Sequence, residues 1–228
     1  MTENPASLPR SGASRAKRRP RYSPVLLTII GLCCLVEAIL LLSDTGLIPI
    51  RHLRGLAYQN GGFWPGLLHD WRPNFALQPV TMFVSYAFLH AGILHLAVNM
   101  ITLWSVGLAI IDRIGQRWFL IIYMLSILGG AIAFGLLSKA SSPMVGASGA
   151  LFGLVGAWLV WEARERRAAG ETQWPMLWSV IWLTALNVAL WWLTNGQLAW
   201  ETHLGGALFG AITAAFARPK LAPADPGY

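Results

Sequence analysis

The sequence predicts an all-α fold, a polytopic membrane bundle of six transmembrane helices, and three observations carry that prediction. Hydrophobic residues make up 55% of the 228 and charged residues only 12%, about half the charged share of an ordinary soluble domain. Six apolar stretches approach or reach the roughly 20 residues that a helix needs to cross a ~30 Å hydrocarbon core. The basic residues fall in alternate connections between those stretches. Mean hydropathy is +0.53. No extended alternation of polar and apolar residues marks barrel strands, and open sheets leave backbone groups unpaired in lipid.

Residues 1–22 hold Pro5, Pro9 and Pro20 among six basic residues, which predicts a basic cytosolic tail without ordered structure. The first span, 25–42, follows Pro24 and has no small-residue cleavage site near its end, so it reads as an uncleaved signal anchor; the Arg- and Ser-rich tail also resembles an organellar transit peptide, a reading that Glu3 and the prolines weaken. Cys33 and Cys34 are adjacent within it and fit neither a disulfide framework nor a metal site. The outward segment 43–79 carries Phe63, Trp64, Trp71 and Phe75 with several Gly and Pro residues. Such a mixture suits the headgroup level; shielding a site from lipid is the sharper alternative. Spans two to six are expected over 83–111, 118–137, 147–161, 176–193 and 198–217. They complete a single membrane domain over 23–217, with no internal repeat and a cytosolic tail over 218–228.

Orientation follows the positive charge. With the amino terminus inside, the cytosolic segments hold 13 of the 17 basic residues, and only Arg51, Arg54, Arg72 and Lys139 face outward. That bias places both termini in the cytosol and independently requires an even number of spans. The net charge of +7 is therefore mainly topological. The tail offers a contact for anionic lipid, but no interleaving of basic and aromatic residues suits nucleic acid.

Polar groups inside spans carry the functional signal, because lipid makes them costly unless they are paired or useful. The second span contains His90, His95 and Asn99. His95 and Asn99, four apart, share a helix face, whereas His90 would sit about 140° away from His95. At 1.5 Å per residue above the cytosolic charges, Ser148 lies roughly 20 Å above Glu162, His203 roughly 22 Å above Arg218, and Asn99 and His95 roughly 20 and 25 Å above Asp112. Four polar groups from three helices thus converge about 5 to 10 Å below the outer edge of the core. The fourth span is too short to cross, so its first turn is expected to start at depth, reached by irregular backbone that must line protein or water. A cavity opening outward follows.

A serine beside a histidine at one depth points to acyl-transfer chemistry. Ser148 would attack a carbonyl carbon, and His203 would take its proton and return it to the leaving amine. Donors for the oxyanion would come from the Ser148 backbone N–H at a helix start, the Asn99 amide and the His95 ring, with Gly146 and Ala147 completing the binding set. No membrane carboxylate is evidently placed to orient His203; Glu201 is two residues away, on another face if the helix has begun. A dyad is therefore expected. Gly149 and Gly153 on the fourth span, with Gly206 and Gly210 on the sixth, are small-xxx-small pairs that let two backbones approach. Taken alone, the Gly-Ala-Ser-Gly start would be ordinary packing; the shared depth of His203, His95 and Asn99 favours a site.

These residues resemble the rhomboid intramembrane serine proteases. The likeness rests on His90-x4-His95-x3-Asn99, Gly146-x-Ser148-Gly149 and His203-x2-Gly206-x3-Gly210, in that order, and covers about residues 83–216. Each piece is weak alone, whereas the combination is specific. The resemblance implies a rhomboid-like fold in which a short central fourth helix presents Ser148 to His203, with His95 and Asn99 binding the oxyanion and an aromatic residue, here Phe152, against the histidine ring. It also implies a substrate gate beside the fifth span, where Trp178, Trp182, Trp191 and Trp192 otherwise read as lipid-facing bulk.

There are two departures. Many members carry a Trp-Arg pair where this chain has Thr81-Met82, with Trp71-Arg72 ten residues earlier, which bears on how the outer loop is anchored. Ser85 replaces a threonine and keeps its hydroxyl. His90 is expected to support the outer loop through a hydrogen bond, while His52 and His69 read as solvated.

The implied activity is an intramembrane serine endopeptidase that cuts transmembrane segments of membrane-protein substrates near the outer face, through an acyl-enzyme. Substrate helices weakened by Gly or Pro would be favoured, since their carbonyls are otherwise bonded within the helix. The partners expected are transmembrane substrates and lipid, with no cofactor, metal or nucleic acid. By family analogy the site of action is a bacterial cytoplasmic membrane. An inactive relative that holds or escorts membrane clients is the rival reading, although such relatives lose the serine or histidine kept here. A metal site shared by His90, His95 and His203 is disfavoured by the helical offset and by the lack of a nearby membrane carboxylate.

Overall fold

The computed structural model describes residues 23–217, so the two predicted tails lie outside the described residues. Those residues form eight α-helices: α1 (Pro24–Asp44), α2 (Leu53–Gly61), α3 (Gln78–Ser85), α4 (Ile93–Ile114), α5 (Gln116–Leu137), α6 (Ser148–Ala168), α7 (Trp174–Leu193) and α8 (Trp200–Phe216). Pro24, in the first turn of α1, lacks the N–H that no helix start can satisfy internally, and the Ser23 hydroxyl accepts the Leu26 N–H. A single residue, Gly115, at φ +85°, turns the chain from α4 into α5; such a left-handed angle favours glycine.

All six predicted spans meet a helix, but two expectations need correction. The second span is not one helix. Its start belongs to α3, which passes into a short 3-10 turn at Tyr86–Phe88, and α4 begins only at Ile93. His90 therefore lies in the connection before α4, and the angular offset computed for a continuous helix does not apply to it. The fourth helix is central but not short: α6 has 21 residues, because Glu162 to Arg167 continue the helix beyond its apolar part. The i,i+4 pair of Arg166 with Glu162 and the pairing of Arg113 with Glu165 accommodate those charges. By length and composition α1, α4, α5 and α7 are each able to cross a membrane; α6 ends in charge, and α8 has 17 residues.

Helices α5, α6 and α8 pack on one another, with α4 against α6 and α1 against α4. Lipid tails are as apolar as leucine, so close van der Waals packing must hold such helices together. The glycines supply it. A Cβ on Gly206 would overlap the Gly149 carbonyl, and one on Gly210 would overlap the Gly153 carbonyl. Gly205 stands in the same relation to Gly129 on α5. Below these contacts the fully buried Trp161 donates its ring N–H to the Ala214 carbonyl at 3.1 Å, tying α6 to α8 again.

The outward segment is more than an interfacial loop. Phe63 is fully buried edge-on to Phe83, Tyr86 and Phe134, and it exchanges both backbone hydrogen bonds with Met144. The segment is anchored by Arg54, not by a Trp-Arg pair. Arg54 bonds Glu37 at 2.9 and 3.1 Å, Asp44 at 2.6 Å, the Tyr58 hydroxyl and the His90 carbonyl. Donation to the buried Glu37 carboxylate holds the Arg54 guanidinium charged beyond its already high ordinary range. The Ser85 hydroxyl donates to the Gly61 carbonyl at 2.7 Å, fastening the end of α3 to the end of α2.

Two substitutions test this packing by unfolding in detergent. Gly210→Ala is expected to destabilise by about 1–3 kcal/mol, the usual cost of overpacking, whereas Gly31→Ala, which meets open space on α1, should stay within about 0.5 kcal/mol. Arg54→Met should cost about 3 kcal/mol, because Glu37 would remain buried without its partner.

Candidate active site

Ser148 is the first residue of α6, and the approach to it is held from two sides. Met144 pairs with Phe63, and two residues later the Gly146 N–H donates to the Tyr86 carbonyl at 3.0 Å. Gly146 takes φ +126°, a conformation that side chains other than glycine rarely adopt. The chain then turns into α6 with Ala147 as its N-cap. The first N–H groups of a helix have no acceptor within it, so the Ser148 N–H is available at the positive end of the helix dipole.

The α6–α8 approach brings His203 to this serine. The His203 Nε2 lies 2.8 Å from the Ser148 Oγ. The Phe152 ring, one turn along α6, stacks on the imidazole with centroids 4.2 Å apart and planes 6° from parallel. On its other side His203 Nδ1 lies 2.7 Å from Oδ1 of Asn187 on α7. Sequence reasoning missed Asn187, although it had a signal: an amide within an apolar span. Glu201 is on α8, but the partner of the Nδ1 atom is Asn187.

His95 and Asn99, in the first two turns of α4, face the same turn. A Cβ added to Gly146 would stand 3.0 Å from His95 Nε2 and 3.6 Å from Asn99 Nδ2. His95 Nδ1 accepts the Ala91 N–H at 3.2 Å, so in the neutral ring the proton sits on Nε2, which makes that atom the donor toward Gly146. The Asn99 Nδ2 is buried and has no hydrogen-bond partner among the described residues. Two side-chain donors and a helix N-terminus thus border the space over Gly146, an arrangement able to receive an oxyanion.

A profile of the Rhomboid domain matches residues 77–220, nearly two thirds of the chain and all the helices that build this site except α1 and α2. The chain belongs to the rhomboid family. Rhomboid protease GluP of Bacillus subtilis is 35% identical over 127 residues, 56% of this chain and 24% of the relative. RHOMBOID-like protein 6, mitochondrial, of Arabidopsis thaliana is 33% identical over 144 residues, 62% and 45% of the two chains. Rhomboid protease GlpG of Yersinia pestis is 26% identical over 197 residues, 86% and 63%. The rhomboid chain thus spans less than two thirds of the length of each of these relatives. Family and apolar helices together make it an integral membrane protein.

The remaining predicted residues divide. Gly149, Gly206 and Gly210 lie in the α6–α8 contact. His90 is fully buried with its ring edge-on to that of His95, centroids 5.3 Å apart. Its backbone carbonyl accepts from Tyr58 at 2.6 Å and from Arg54 of the outer segment, while its ring nitrogens have no hydrogen-bond partner among the described residues. A membrane carboxylate does lie near these histidines: Glu37 of α1 shares Arg54 with the His90 carbonyl. It escaped sequence reasoning because its partner is 17 residues away. Among the described residues no three His, Cys, Asp or Glu side chains are grouped to hold a metal.

Helix α7 has no buried residue. Trp178, Trp182, Trp191 and Trp192 are all exposed on it, and Trp191 also borders the cavity beside this helix. Between α7 and the α6–α8 pair runs an apolar cavity of about 620 Å³, lined by Phe152, Gly156, Thr184, Asn187, His203 and Ala207 among others. Gly146→Ala would press on His95 and strain the turn. Unfolding of this variant in detergent should show a loss of about 1–3 kcal/mol, the usual cost of overpacking.

Proposed function

We propose that this rhomboid is an intramembrane serine endopeptidase that cuts transmembrane segments of other membrane proteins near the outer face of the bilayer. The observation that carries the reading is the 2.8 Å approach of His203 Nε2 to the Ser148 hydroxyl, at a helix N-terminus bordered by the His95 and Asn99 donors. A hydrogen bond of that length is what general-base activation of a serine requires.

The steps follow from the positions. As the Ser148 Oγ bonds to the substrate carbonyl carbon, its proton passes to His203 Nε2, and the carbonyl electron pair moves onto oxygen. The Ser148 N–H, the His95 Nε2–H and the Asn99 amide stabilise that oxyanion. Its collapse breaks the C–N bond, and His203 returns the proton to the leaving amine. Water, deprotonated by the same imidazole, then adds to the Ser148 ester; collapse of this second intermediate breaks the C–Oγ bond, the imidazolium returns its proton to the Ser148 Oγ, and the new carboxyl terminus leaves. Phe152 keeps the ring plane fixed through these transfers.

The likeness to GluP and GlpG, each described as a rhomboid protease, supports the reaction class. Substrate helices would approach laterally beside α7, whose tryptophans are exposed. The distribution of basic residues supports both termini on the cytosolic side, and the bacterial relatives support a bacterial cytoplasmic membrane.

Purified protein in liposomes with a reporter transmembrane substrate tests the reading. Wild type should cleave, and Ser148→Ala and His203→Ala should each lose on the order of 1,000-fold or more of kcat. Equal cleavage by all three would sink it, while wild type that captures the substrate without cutting it would make the protein a client-holding relative.

A further inference from the structure

The rigid half of the dyad is explained by α6, α8 and Phe152, but the imidazole also has a tautomer to fix. A neutral histidine carries one ring proton, and only the form protonated at Nδ1 leaves Nε2 free to accept from a serine. Neither α6 nor α8 supplies a partner for Nδ1. We infer that Asn187 of α7 is a positioning residue that holds His203 in its base-competent tautomer, with Nδ1–H donating to Asn187 Oδ1 across 2.7 Å. This rests on the hydrolase reading of Ser148 and His203.

Three observations support the inference. The geometry is a relay of two short contacts through one ring, 2.7 Å on the Nδ1 side and 2.8 Å on the Nε2 side. Asn187 is half-buried on a helix whose other side chains are otherwise mostly apolar and lipid-facing, so an amide there is costly unless it has a use. Its neighbours in the cavity are chiefly apolar, with Thr184 one turn away, and the Thr184 hydroxyl is committed to the Val180 carbonyl at 2.8 Å. An amide accepts without adding charge, so it sets the tautomer in an apolar setting where a buried carboxylate would carry a desolvation penalty.

A consequence concerns α7 itself. The third group of the site rides on the helix with no buried residue, beside the cavity. Displacement of α7 away from α8 removes the Nδ1 acceptor, so the competent tautomer depends on α7 being docked. A substrate entering beside α7 must leave that contact intact, or restore it, before the serine can react.

The test has a spectroscopic arm and a kinetic arm. In protein with ¹⁵N-labelled histidine, assigned through His203→Ala, the wild-type His203 resonance should show a protonated Nδ1 and an unprotonated Nε2. Asn187→Leu, close in shape but unable to accept, should redistribute the tautomers. It should lower kcat about 10–100-fold, the scale of a misplaced catalytic group, with KM within about threefold. Asn187→Asp, which restores an acceptor, should recover most of the lost kcat. A wild-type Nε2–H tautomer, in which the amide presents its NH2 to Nδ1, would overturn the inference, as would an Asn187→Leu variant with unchanged tautomer and kcat. If wild type shows the Nδ1–H form but cleaves nothing, the positioning contact stands and the hydrolase reading fails.

Discussion

The backbone contact between α6 and α8 is the constraint on which the rest of this molecule depends. Gly149 and Gly153 meet Gly206 and Gly210 with no side chain between them, and only at that separation does a serine on one helix reach a histidine on the other. In lipid the contact cannot be driven by exclusion of water, so it must be made of dense packing and hydrogen bonds. Trp161 supplies such a bond from α6 to Ala214, and α5 closes the third side with Gly129 against Gly205. The site is therefore built on the most tightly packed part of the bundle, as a preorganised site should be.

Around that core the remaining elements hold the approach to the serine and the donors over it. Phe63 and Tyr86 pin the strand-like segment before Gly146 by backbone bonds, and Arg54 ties α2 to α1 and to the carbonyl just before α4. In contrast, α7 lacks any buried residue and touches the site through Asn187 and the cavity wall. A tightly held Ser148 thus lies beside a lightly held helix, with the apolar cavity between them reaching His203.

Much of this was legible in the sequence because α4 and α6 run without interruption from their polar residues to their charged ends. Counting 1.5 Å per residue therefore puts Ser148, His203, His95 and Asn99 at nearly one level, and the glycine spacing names the two helices that meet. Tyr86, Ala87, Phe88 and Leu89 are apolar, and hydropathy does not separate their turn from helix; the available signal for the break is Gly92, which caps α4 at φ +93°. The length of α6 was underestimated for the opposite reason: charge ended the apolar run while ion pairs let the helix continue. Glu37 is the one charged residue of its span and Asn187 the one amide of its span, yet their partners, Arg54 and His203, are distant in sequence. Pairing them required the fold.

Activation of Ser148 by His203 is read out by where a fluorophosphonate attaches. Intact-mass measurement and peptide mapping of the purified protein in detergent would identify the modified residue. The account predicts one phosphonyl adduct, on Ser148, that forms in wild type and is lost in His203→Ala. An adduct on a different serine, or labelling of Ser148 at the same rate without His203, would contradict it.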